Sequence, residues 1–285
     1  MPVLERILVC GVTGSGKTWA WLKMAEALKP TGALFRCLDT DNAVEYMLHT
    51  RFSHLLPENN GNVFVHDAFD WPEYRLGMKW ALQQPLSKEE MSKLSTSQLK
   101  AYRIPVKPSD WVVIDMVDNA WNTVQRYFTT EVFQEEMGDY FLEARKIIRS
   151  RGDKDAKGKP VRSILPEALK GWVDWTVINR LYDDFILPLA YRSKCHVYAT
   201  TKVERLDSSS SDPEVQTLFG DVGIRPAGQK RLGHQMHTVL LFIPGKDKWY
   251  VTTFKDRADR SYFKKTPLTS LYMQYLCAKA GWPIV

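Results

Sequence analysis

Residues 11–18 read GVTGSGKT, and this stretch decides the fold. It matches G-x-x-x-x-G-K-[ST], the pattern of a loop that wraps phosphates. Each position has a physical task. Glycines permit the positive-φ turns that aim successive backbone N–H groups inward, so Gly11, Val12, Thr13, Gly14, Ser15 and Gly16 form a cradle. Lys17 neutralises the β- and γ-phosphates, and the Thr18 hydroxyl is suited to ligate magnesium. A helix that begins here adds the positive end of its dipole. The expected ligand is ATP or a close relative, with Mg2+.

The flanks fit such a loop. Residues 6–10 (RILVC) form a short apolar strand before it, and 17–28 an amphipathic helix after it, stopped by Lys29-Pro30-Thr31-Gly32. Further strands are expected at 33–38 (ALFRCL), 62–66 (NVFVH), 111–114 (WVVI) and 195–199 (CHVYA), with helices at 43–50 and 72–84. Strands alternating with helices argue for an α/β fold, a mostly parallel sheet sandwiched by helices. Two late strands, 238–243 (TVLLFI) and 248–253 (KWYVTT), are separated by Pro244-Gly245-Lys246-Asp247 and read as an antiparallel hairpin at the sheet edge.

The chain has 285 residues, 44% hydrophobic and 25% charged, which allows a large core. No run reaches the roughly 18–20 apolar residues of a transmembrane helix. The start, MPVLERILVCG, carries Glu5 and Arg6 and does not resemble a secretory leader, so a cytoplasmic protein without a membrane partner is expected. Cys10, Cys37, Cys195 and Cys277 stand far apart, three of them in apolar strand-like runs. They read as small hydrophobes rather than metal ligands or disulfide partners. The net charge of +6 permits an anionic partner.

A P-loop needs a second acidic group to hold its metal. Asp115 ends the apolar run 111–114, which places its carboxylate at the edge of the sheet where ligands gather. Asp118, three residues on, is the fallback. Asp39 and Asp41 end the second strand at the same edge. Either could aim or deprotonate an attacking water, or cap the helix that starts at Ala43.

This arrangement resembles the RecA-like ATPase core in order and spacing over most of the chain. The resemblance implies that the second strand ends in a D-x-E signature whose glutamate activates water. Here the segment reads CLDTDNA, so Asp41 takes that position with a side chain one methylene shorter. It also implies a polar sensor at the end of the fifth strand, where HVYATTKVER places Thr200 and Thr201. FKDRADR, residues 254–260, is similar to the K-x-R signature by which DnaB-type and RadA-type proteins reach into a neighbouring subunit's ATP site. Lys255 and Arg257 would act there in trans, on one face of an extended segment, which implies a ring or filament with head-to-tail contacts.

Positive charge is concentrated. Residues 143–162 hold eight Lys or Arg against three acids, a net +5 of the whole chain's +6. With Gly152, Gly158 and Pro160 this reads as a basic insertion, about 143–173, on a single RecA-like domain spanning 1–285. The resemblance puts a DNA-binding loop in that interval and a second in the serine-rich loop of about 206–232, which carries Arg225, Lys230 and Arg231. These loops offer no aromatic stacking surface beyond Phe219 and Trp172. The leading expectation is an ATP-hydrolysing homo-oligomer on single-stranded DNA. In its compact size it resembles phage-encoded RecA-like annealing and recombination proteins. Alternatives are a RecA- or AAA-type motor or loader (helicase, packaging), a P-loop small-molecule or nucleotide kinase, and a slow nucleotide-gated interaction module.

Overall fold

A computed structural model describes residues 3–134, 136, 138–139, 142, 172–206, 213–259 and 261–285. The basic run at 143–162 and residues 207–212 of the serine-rich stretch lie outside the described residues. The strands are β1 Arg6–Gly11, β2 Phe35–Asp39, β3 Val63–Asp67, β4 Trp111–Asp115, β5 His196–Thr201, β6 Val203–Arg205, β7 Ile224–Pro226, β8 Thr238–Pro244, β9 Trp249–Asp256 and β10 Thr266–Leu268. The helices are α1 Lys17–Leu28, α2 Ala43–Arg51, α3 Trp71–Ala81, α4 Lys88–Ser92, α5 Thr96–Arg103, α6 Val117–Phe133, α7 Trp172–Leu187, α8 Pro213–Phe219 and α9 Leu232–Gln235.

Among the described residues, eight strands form one sheet in the order β10-β9-β8-β1-β5-β4-β2-β3. From β8 through β3 every pairing is parallel. Side chains alternate across it, so each strand feeds two cores. Leu8, Cys10, Val112 and Ile114 join α3, α6 and α7 on one face. Ile7, Val9, Trp111 and Val113 join α1 and α2 on the other. Burial on both faces is why these strands read as unbroken apolar runs. This is the α/β layout expected from the sequence, with helices on both sides of a mostly parallel sheet. The hairpin expected at 238–253 is β8 and β9, but β9 is not the outermost strand, because β10 pairs antiparallel beyond it.

Between β3 and β4 the chain makes two short helices, α4 and α5. Each opens with a reciprocal capping box, Ser87 with Glu90 and Ser95 with Gln98. Helix α5 ends over Arg36, which is fully buried on β2. The guanidinium donates to Asp110 Oδ2 at 3.0 Å and to the carbonyls of Ala101 and Ile104 at 3.2 and 2.8 Å. A cation at a helix C-terminus suits the dipole. The carboxylate of Asp110 also accepts the backbone N–H of Leu34 and Lys107, fixing the entries to β2 and β4. Asp110→Ala leaves that guanidinium buried and unpaired, with an expected loss of about 3–5 kcal/mol. Denaturant unfolding measures it, and a loss below about 1 kcal/mol, the scale of an exposed pair, would show that the pair is not what holds this corner.

Candidate active site

Parallel pairing brings the carboxyl ends of β1 through β5 to one edge. In register, Asp39 lies opposite both Asp115 and Asp67, while Val9 and Cys10 lie opposite Thr200 and Thr201. The loop GVTGSGKT therefore closes over a row of acids and hydroxyls. Gly14 and Gly16 take φ of 78° and 85°, the left-handed region that glycine enters without cost. Gly16 is doubly constrained, because a Cβ there would meet the indole of Trp249 at 2.9 Å. That indole also donates to the Gly14 carbonyl at 3.1 Å. Trp249, at the start of β9, thus braces the loop from the neighbouring hairpin, a contact that no local pattern announces.

Lys17 is buried, and its ammonium donates to the carbonyls of Gly11 and Val12 at 2.8 and 3.1 Å. Burial depresses its pKa, and Asp115 and then Asp118 pull the other way. An ammonium held by neutral carbonyls beside acids is free to exchange those partners for phosphate oxygens. Ser15 Oγ is fully buried and has no hydrogen-bond partner among the described residues. Such an orphaned hydroxyl at the base of a cradle fits a site built for a polar ligand.

Asp115 is almost wholly buried. Its Oδ2 accepts from Trp21 Nε1 of α1 at 2.9 Å, and its Oδ1 accepts from the Thr200 hydroxyl of β5. Thr18 lies close enough to lower the pKa of this carboxylate as well. Burial raises the Asp115 pKa, and these three side chains oppose the rise. Among the described residues no cluster of three His, Cys, Asp or Glu could hold a metal ion. Magnesium commonly binds one or two protein groups and completes its shell with phosphates and water. Thr18 and Asp115, side by side at the loop, fit that role. Asp118 is buried too, under the loop after β7, where Gly228 approaches its Cα.

The two acids that end β2 have divided their tasks. Asp39 is fully buried and accepts the N–H groups of Asp41, Val44 and Glu45 at 3.3, 3.0 and 3.3 Å, so it caps α2. Asp41 is exposed, accepts from Ala43 N at 3.3 Å, and contributes to the field at both Lys17 and Asp115. Of the two, Asp41 is the acid left open at the carboxyl edge of the sheet. Between them, Thr40 clasps the start of α6. Its hydroxyl donates to the Met116 carbonyl at 2.8 Å and accepts from Met116 N at 2.6 Å.

The expected pair Lys255 and Arg257 does not share one environment. Lys255 donates to the carbonyls of Gly233, His234 and Met236 at 3.0, 2.9 and 2.6 Å, fastening the end of α9 in its own chain. Arg257 is exposed. It follows Asp256, which lies opposite Thr238, itself beside Ile7 at the start of β1. At the rise of a strand this is on the order of 15 Å from the loop at 11–18 of its own chain.

No protein-family model and no curated protein sequence matches this chain. Among solved structures it is similar to the KaiC-like protein PH0186 from Pyrococcus horikoshii OT3, at 13% identity and a TM-score of 0.45, covering 94% of this chain and 87% of that one. It is also similar to the RadB recombinase, at 14% identity and a TM-score of 0.44, covering 89% and 83%.

Burial, and next to it the Asp115 carboxylate, pushes the Asp39 pKa up to about 7, although the N–H groups of Asp41 and Glu45 oppose the rise. The folded state then holds this proton more tightly than the unfolded chain does, whose Asp titrates near ~3.9. Stability contributed by the protonated form is complete below about pH 4 and lost as pH rises towards about 7. Asp39→Asn keeps an acceptor for the α2 amides and removes the titration. Urea midpoints taken across this range should fall less steeply for the variant than for the native chain; identical slopes would contradict the burial of this carboxyl.

Proposed function

We propose that the chain is a magnesium-dependent ATPase of the RecA-like class that oligomerises on single-stranded DNA in a recombination or annealing role, in the manner of compact phage-encoded proteins. The observation that carries this reading is the convergence of Lys17, Thr18 and Asp115 on one phosphate cradle, with Asp41 open at its rim. Bound magnesium would supply charge neutralisation on the phosphoryl oxygens.

The residues of the chain then have defined tasks. The amides of the loop and Lys17 hold the phosphates, and Thr18 and Asp115 position the metal. Asp41 aims a water at the γ-phosphate. Its shorter reach, compared with a glutamate, favours slow turnover. Thr200, bonded to Asp115, stands where a change at the γ-phosphate reaches β5. Arg257 serves the site of the next subunit, stabilising charge on the transferred group, and Lys255 supports it by fixing the adjoining backbone.

ATPase rates with and without single-stranded DNA, measured on mixed variants, test the reading. Lys17→Ala and Arg257→Ala should each lose most turnover, and DNA should stimulate the native chain. A mixture of the two should regain part of the activity, because some interfaces then pair an intact loop with an intact arginine. A mixture that never exceeds its components, together with a rate indifferent to DNA, would reject the oligomeric DNA-bound form and leave a monomeric P-loop enzyme such as a kinase.

A further inference from the structure

A second site opens beside the first, where α6 and α7 meet the basic end of the loop at 206–232. Trp121 of α6 and Trp175 of α7 lie nearly parallel, 20° apart with ring centroids separated by 6.3 Å. Tyr182 meets Trp121 edge-on at 5.2 Å and is itself fully buried, so the pair is anchored in the core. Trp175 nevertheless stays 38% exposed. Both tryptophans line a cavity of about 870 Å³ together with Arg180, Arg225, Lys230 and Arg231.

The charge of this cavity is positive. Asp183 is the acid on its lining. Arg180 is additionally paired with Asp184 at 3.3 Å and Arg225 with Glu204, and Arg231 faces Asp183, which leaves the exposed Lys230 as the cation least committed within the chain and Arg231 as exposed beside it. The loop bearing them is fixed to α7 by Gln229, which donates to Asn179 Oδ1 at 3.3 Å. It is fixed to the nucleotide edge by Thr201, whose hydroxyl donates to the Ala227 carbonyl at 3.1 Å. An anchored indole with cations around it matches the chemistry of single-strand recognition, in which a base stacks on an aromatic ring and the flanking phosphates meet Lys and Arg.

We infer that the Trp121–Trp175 cavity takes a base of single-stranded DNA on the face of Trp175, with the adjoining phosphates at Lys230 and Arg231. This rests on the single-strand reading above and names the surface that performs it. A base has a π-face whatever its identity, so contact here gives affinity without sequence preference.

The test is fluorescence anisotropy of a labelled oligothymidylate and of an equally long oligomer of abasic spacers, which keeps the phosphates and lacks the bases. Trp175→Ala should weaken oligothymidylate binding by about tenfold, the scale of one base–aromatic stack, and leave the abasic oligomer unaffected. Trp175→Phe should restore most of the loss. Lys230→Ala with Arg231→Ala should weaken both oligomers and flatten the salt dependence. Binding of Mg·ATP, retained by all of these variants, reports that the fold is intact. An oligothymidylate affinity for Trp175→Ala within about twofold of the native chain would overturn the stacking site alone. Equal loss on both oligomers would overturn it too, marking Trp175 as structural. No binding of either oligomer by the native chain would remove the single-strand reading together with this one.

Discussion

One buried carboxylate organises the site. Asp115 ends β4 and accepts from Trp21 of α1 and Thr200 of β5, with Thr18 of the same helix α1 close by. A carboxylate withdrawn from water is costly unless donors satisfy it. These partners tie together the helix that follows the loop at 11–18, the acidic strand and the strand between that acid and β1. Neutral donors satisfy its hydrogen bonds without cancelling its charge. That is the condition in which a divalent cation is welcome, and it joins the architecture of the sheet to the chemistry proposed at its edge.

The end of β5 carries this arrangement outward. Successive strand side chains point to opposite faces, and Thr200 and Thr201 use both. Thr200 reaches Asp115 on the α1 side, and Thr201 reaches Ala227 in the loop that roofs the two-tryptophan cavity. Gly228 in the same loop packs against Asp118, which shares with Asp115 the electrostatic environment of Lys17. The loop at 11–18 and the aromatic cavity are thus separated by little more than one strand end and one short loop. A shift of that loop would be felt on both sides.

Much of this was legible in the chain itself. Motif, strand and helix coincide at 6–28 because a phosphate loop demands all three, and β2, β4 and β5 announce themselves as apolar runs because both of their faces are buried. The Ser87–Glu90 and Ser95–Gln98 spacings carry the capping signal of α4 and α5, although the helices are too short to show an apolar period. Long-range contacts leave no such mark. Trp249 reaches Gly14 across 235 positions and Trp21 reaches Asp115 across 94. Trp121 and Trp175 become a stack only when α6 and α7 pack side by side. The K-x-R spacing at 255–257 suggests two like cations; the fold gives one of them to the carbonyls at the end of α9. A three-residue strand such as β10 is invisible until β9 is there to pair with it.

Everything proposed for this chain requires that the loop at 11–18 grip a nucleoside triphosphate with its cation. Isothermal titration of the native, folded protein with ATP, in magnesium and then in excess chelator, addresses that directly. Saturable binding at one ATP per chain, markedly tighter with magnesium, is the expected result. The absence of binding heat under both conditions, for ATP and for the other nucleoside triphosphates, would contradict the nucleotide site and with it the function built on it.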